Sequence, residues 1–165
     1  MPDQASPDAG ELKKLAEELI GAQTTMTLAT VRDCEAWAAP VYYAHRGFRF
    51  YFFSDPSSRH IQEALENRQV SAAIFCQASS WREIRGTQMS GTVGHLSPGF
   101  EALAAIRTYL RKFPFTREFF DPTQKINLEA FASRFKVRLY VFRPSLLYYL
   151  DNRIRFGFRE ALPLD

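Results

Sequence analysis

The sequence is poor in cysteine and histidine and has no long apolar run. Its 165 residues include two cysteines and three histidines. Cys34 and Cys76 are too few for a disulfide framework or a four-thiolate zinc site, so reduced, partly buried thiols are expected. His45, His60 and His95 lie far apart in the chain, and none sits in a metal-ligand spacing. No apolar stretch approaches the roughly 20 residues that span a bilayer. The start, Met1-Pro2-Asp3-Gln4, is polar and acidic, unlike a signal peptide. A cytoplasmic protein with no membrane partner is therefore expected. The chain also lacks a G-x-S-x-G elbow, a Cys/His frame and a marked carboxylate pair. If it is an enzyme, a bound cofactor is expected to carry the chemistry.

What is abundant is aromatic mass: 15 Phe, 7 Tyr and 2 Trp, or 15% of the chain. Lys and Arg number 21 against 18 Asp and Glu, a net charge of +3. That is far from the cationic load of a dedicated nucleic-acid binder, so no nucleic-acid partner is expected; small anionic ligands fit as well. Length and composition fit one soluble domain, residues 1–165, with a loose arm over 1–5.

Ser6-Pro7 offers an N-cap and a first-turn proline. Leu12, Leu15, Ala16, Leu19 and Ile20 then follow at helical spacing up to Gly21. Strands are expected at Thr24–Val31, Trp37–Tyr43 and Phe48–Phe53, with His45-Arg46-Gly47 as a turn. Phe48, Phe50 and Phe52 share one face of the third strand, and Tyr51 and Phe53 the other, which predicts burial on both sides. A short helix is expected over Arg59–Asn67 and a strand over Val70–Cys76. A long strand, Ile84–Leu96, carries Gly86, Gly91 and Gly94, whose place inside a strand points to bulges or bends. A helix opened by Ser97-Pro98 has Phe100, Leu103, Ile106 and Leu110 inward. Asn127–Phe135 reads as a short helix, Lys136–Phe142 and Leu146–Leu150 as strands, and Ile154–Phe158 as a returning strand after an Asp151-Asn152 turn. The class is α+β: an antiparallel barrel of six or more strands with flanking helices.

Two segments are candidates for a site. In Ser54-Asp55-Pro56-Ser57-Ser58-Arg59-His60, a strand ends and a helix begins with hydroxyls and a cation. Free amides and the helix dipole make such a terminus an anion site, and Arg59 could grip phosphate bidentately; an ordinary capped helix with a surface arginine fits as well. In Trp81–Gln88, Arg82, Ile84 and Gly86 share one face of a strand, either as an exposed edge or as a ligand-binding face.

The run from Met26 to Leu96 resembles the flavin-binding split barrels related to pyridoxamine 5′-phosphate oxidase. Thr27-Leu28-Ala29-Thr30-Val31 is similar to that family's first strand, and Ala39-Pro40-Val41-Tyr42-Tyr43 to the strand beside the flavin. Phe52-Phe53-Ser54 with Ser58-Arg59-His60 resembles its phosphate site, often Ser-Arg-Lys. Asn67-Arg68-Gln69-Val70-Ser71-Ala72 resembles the next helix-to-strand step, and Arg85-Gly86-Thr87-Gln88-Met89-Ser90-Gly91 the long strand whose polar residues approach the cofactor. The resemblance implies a Greek-key split barrel and a homodimer with two flavin mononucleotides (FMN) at the subunit interface. It implies oxidoreductase chemistry with a small-molecule substrate or electron donor. Ser58, Arg59 and His60 would hold the phosphate. Pro40, Val41, Tyr42, Phe53 and Ser54 would flank the isoalloxazine, and Gln88 would reach the cofactor across the dimer. Relatives on this fold also bind haem or deazaflavin, and a non-catalytic module that stores or senses such a ligand is the alternative reading. Here His60 stands where Lys is usual. The C-terminal tail lacks the Trp and Arg-His pattern of a true pyridoxamine phosphate oxidase, so that activity itself is not expected.

Overall fold

A computed structural model describes residues 6–119 and 136–164; the side chains of 117–119 are not described. The expected arm over 1–5 and helix over 127–135 lie outside these residues. Helix α1 spans Ala9–Ala22 and buries Leu12, Ala16, Leu19 and Ile20. Its cap is Asp8, not Ser6: the Asp8 carboxylate accepts the Glu11 amide at 2.8 Å, satisfying one of the free first-turn donors. The helix ends one residue beyond Gly21, with Gln23 extended.

Among the described residues, eight strands follow: β1 Thr25–Arg32, β2 Glu35–Tyr42, β3 Ala44–Arg46, β4 Arg49–Ser54, β5 Val70–Phe75, β6 Arg85–His95, β7 Arg138–Asp151 and β8 Arg159–Ala161. Every pairing is antiparallel. Seven strands form a row in the order β2-β1-β5-β6-β7-β4-β3, and β8 pairs with β7. β2 and β3 sit at opposite ends of that row, yet only Tyr43 separates them in the chain. One residue spans less than 4 Å or so, so the sheet must curl back on itself. That curl makes the row a split barrel, as expected.

β4 shows why both of its faces are apolar. Phe50 and Phe52 are fully buried in the main core. On the other face, Tyr51 packs with Ala102, Ala105 and Ile106 of helix α3, Phe100–Lys112. Phe48 lies in the turn before the strand, half-buried against the core. His45 belongs to β3, and the turn is Gly47-Phe48, with Gly47 at φ 53°.

Other expectations are corrected. On α3 Ile106 is buried and Leu110 packs half-buried against the core as expected, but Ala102, Ala105 and Tyr109 complete the inward face. Phe100 is 96% exposed and Leu103 41%, because the small alanines let the helix lie close against the sheet. Trp81–Glu83 is a 3-10 turn, so Arg82 and Ile84 share no strand face with Gly86. The expected strand Ile154–Phe158 is a loop closed by side chains: Asp151 accepts the Arg153 amide and Asn152 accepts the Gly157 amide. The strand is instead Arg159–Ala161. Both thiols are free, but Cys34 is exposed rather than partly buried. It lies with Asp33 in a two-residue hairpin turn, both at positive φ, as a twist-matched turn requires.

The strands expected on either side of Pro144 are one continuous β7. The register with β6 shifts at Ser90/Gly91, so Ser145 is the extra residue of a bulge, a place where a proline is tolerated inside a sheet. A Cβ on Gly91 would lie 2.2 Å from the Arg143 carbonyl oxygen, a backbone atom that cannot swing aside. Gly91→Ala is therefore expected to cost about 1–3 kcal/mol, read as a lowered urea midpoint; an unchanged midpoint would contradict this close approach.

Candidate functional site

Several of the expected site residues converge where β4 hands over to helix α2, Arg59–Asn67. The Asp55 carboxylate accepts both the amide and the hydroxyl of Ser57, each at 2.7 Å. The Ser58 hydroxyl donates to the Asp55 carbonyl at 2.7 Å. Ser58 is the N-cap of α2, but its side chain bonds no helix amide. The first-turn amides of α2 thus have no side-chain cap, and they carry the positive end of the helix dipole. Three side chains meet in front of them. Ser54 Oγ is 2.9 Å from His60 Nε2 and 3.3 Å from Ser58 Oγ, and Ser58 Oγ is 3.4 Å from His60 Nε2. Burial lowers the His60 pKa from its ordinary value, against a weaker opposing pull from Glu63.

Arg59 is placed elsewhere. Its Nε donates to Glu63 Oε1 at 2.6 Å and its Nη2 to Glu35 Oε2 at 3.2 Å. Its guanidinium lies 4.8 Å from the centre of the Trp37 ring. Glu63 also accepts the Thr30 hydroxyl at 2.6 Å; that bond and the arginine hold its carboxyl below the usual range. The structure therefore brings Ser58 and His60 together with Ser54, while Arg59 braces α2 against β2 and Glu63 ties α2 to β1.

The residues expected around a flat ring fall partly together. Val41 faces the core, while Pro40 and Tyr42 are exposed. Tyr42 meets Phe113 edge-on at 5.4 Å, and Phe53 meets Tyr109 edge-on at 5.1 Å. Tyr109 and Phe113 are themselves 4.8 Å apart, so α3 and the residue after it join Tyr42 to Phe53 in one aromatic wall. Sequence reading missed Tyr109 and Phe113. It also missed Lys112, whose buried Nζ has no hydrogen-bond partner among the described residues and lies 4.0 Å from the centre of the Tyr43 ring. Burial lowers its pKa to about 8. Gln88 stands apart, on the outer face of β6 between Ala73 and Tyr148. There it lines a shallow depression of about 380 Å³ with Thr27, Ala29, Ala73, Leu146 and Tyr148.

His45, whose Nδ1 lies 3.0 Å from the Gly47 carbonyl, also has its pKa lowered by burial. For His45 and His60 the folded value lies below the unfolded one, so the unfolded chain takes up protons first. Their contribution is complete above about pH 6.5 and is lost as pH falls from there toward the folded values. The melting temperature is expected to fall between about pH 7.5 and 5.5, with a shallower slope in His60→Gln. A slope unaltered in that variant would refute the assignment.

A family model described as pyridoxamine 5′-phosphate oxidase matches residues 12–135. The chain belongs to this family. Among curated relatives, it is 29% identical over 137 residues to a UPF0306 protein of Klebsiella pneumoniae (strain 342), covering 82% of each chain. Among solved structures, a haem-binding protein from Mycobacterium smegmatis superposes with a TM-score of 0.70 at 16% identity, covering 95% of this chain and 58% of that one. An FAD-binding protein from Mesorhizobium loti superposes with a TM-score of 0.60 at 16% identity, covering 81% and 90%. At such identities these structures establish the shared fold, on which relatives bind flavin or haem. Among the described residues, no helix is long and apolar enough to cross a membrane.

Proposed function

We propose that this family member binds FMN as a homodimer and serves as a flavin-dependent oxidoreductase for a small molecule. The observation that carries the reading is the meeting of Ser54, Ser58 and His60 before the uncapped start of α2. The donor set suits a phosphate monoester: two hydroxyls, an imidazole nitrogen and free helix amides, with dipole and amides favouring negative charge. The Asp55 carboxylate, which would repel such a group, is already engaged by Ser57.

In this reading Ser54, Ser58, His60 and the α2 amides hold the phosphate. Arg59, paired with Glu63 and Glu35, acts by bracing α2 rather than by gripping the phosphate. Pro40, Tyr42 and Phe53 border the ring system, Val41 contributes only backbone because its side chain faces the core, and Tyr109 and Phe113 back the wall and exclude water. Gln88 of a second copy reaches the cofactor when the outer faces of β5, β6 and β7 meet. Ala73, Leu146 and Tyr148 give that face its apolar character. When bound, FMN supplies hydride acceptance and onward electron transfer.

The test is the absorption spectrum of the purified chain and of the stripped chain titrated with FMN, together with its mass in solution. Oxidised-flavin bands, one saturable FMN per chain and a dimeric mass are expected. A Soret band from a native ligand would move the reading to haem, and a deazaflavin spectrum to that cofactor. No saturable FMN binding would sink the proposal.

A further inference from the structure

At the end of β4 away from Ser54, a second cavity of about 340 Å³ opens between α1, the β3–β4 turn and β7. Arg46, Arg49 and Arg143 line it, and Phe48, Pro144 and Leu164 supply apolar wall. Lys13 and Glu17, one turn apart on α1, add one charge of each sign. The geometry points to this cavity as a binding site for a small organic phosphate, separate from the α2 terminus. Arg49 and Ser54 are five residues apart on one strand, roughly 16 Å at the usual rise per residue, so one phosphate cannot touch both.

Three features carry the inference. First, Arg46 and Arg49 are direct cross-strand partners in the β3–β4 hairpin, and like charges in that position repel. An anion between them would turn that cost into an attraction. Second, Glu101 partly answers the charge and fixes the geometry. Its Oε1 accepts from Arg49 Nη1 at 3.2 Å and from the Tyr51 hydroxyl at 3.0 Å; its Oε2 accepts from Arg143 Nη2 at 3.3 Å. Each guanidinium carries five N–H donors, so both pinned arginines keep donors for a ligand. Arg46 makes no ion pair among the described residues. Three guanidiniums against the Glu101 carboxylate leave a local excess of positive charge suited to a dianion, and the arginine fork matches phosphate oxygens bidentately. Third, the walls at Phe48, Pro144 and Leu164 give an ester's carbon body a place out of water.

The test is calorimetric titration of the full chain with phenyl phosphate and with inorganic phosphate, in the parent, Arg46→Ala and His60→Ala. Arg46 is exposed beside a turn, so its truncation should leave the fold intact. Saturable binding of phenyl phosphate, tighter than that of inorganic phosphate, is expected. It should weaken about tenfold or more in Arg46→Ala and change by less than about twofold in His60→Ala. No saturable binding, binding that survives Arg46→Ala, or binding lost with His60 would overturn the proposal. Loss with His60 would return the anion to the α2 terminus, so this test and that of FMN binding fail separately.

Discussion

Ser58→Asp is expected to leave the fold intact and to remove most FMN affinity. Ser58 makes no side-chain bond to an α2 amide, so the substitution breaks no cap. Aspartate is as good an N-cap as serine, and its charge sits at the favourable end of the helix dipole, worth about 0.3–1 kcal/mol. The bonds lost are the hydroxyl's donation to the Asp55 carbonyl and its longer contacts with Ser54 Oγ and His60 Nε2. Toward a bound phosphate the sign reverses. A carboxylate about 4 Å from a phosphate charge is repelled by about 4 kcal/mol at an effective dielectric near 20. Ser58 is half-exposed, so screening brings the expected penalty to about 2–4 kcal/mol, a roughly 30- to 700-fold weaker Kd. Thermal melting and FMN titration read the two effects separately. A melting temperature held or raised, with affinity lost, is the expected pair. Unchanged affinity would move the phosphate away from this helix.

What was legible in the sequence is what local chemistry decides. Strand end, turn, hydroxyls and helix start at Ser54–His60 are contiguous, so their meeting follows from the path of seven residues. Arg59 sits in the same stretch, but its partners Glu35 and Trp37 come from β2, more than twenty residues away. Nothing local favours phosphate over that pairing or the reverse. The separate strands expected at Lys136–Phe142 and Leu146–Leu150 have a similar cause: the bulge that tolerates Pro144 between them exists only in the register with Ser90 and Gly91. On α3 two stripes fit a helical repeat, one with Phe100 and Leu103 and one with Ala102 and Ala105. Only the distance to Tyr51 and Val141 chooses the alanine stripe. The aromatic wall at Tyr42 and Phe53 was half legible, because Tyr109 and Phe113 join it from a helix whose docking is a tertiary fact.

The largest stability effect is expected at Phe52. Its side chain is fully buried and stacks on Tyr140 of β7 at 5.7 Å and 26°. Removing a buried Phe ring costs about 3–5 kcal/mol, since transfer energy is lost and a cavity remains. Against a typical domain stability of about 5–15 kcal/mol, that is a large share. At a urea slope of about 1.5–3 kcal/mol/M, the midpoint should fall by roughly 1–3 M in Phe52→Ala. Phe53→Ala is the internal comparison: its ring is half-buried on the opposite face, against Tyr109, so it should lose clearly less. Ser54, two residues on, shares the face of Phe52 by the period of a strand. The cavity at Phe52 should therefore loosen the Ser54–His60 contact as well as the core, whereas Phe53→Ala should touch only the aromatic wall. Equal losses in the two variants would mean that β4 does not present Phe52 to the core and Phe53 to α3. With that alternation gone, Ser54 would lose its reason for facing His60.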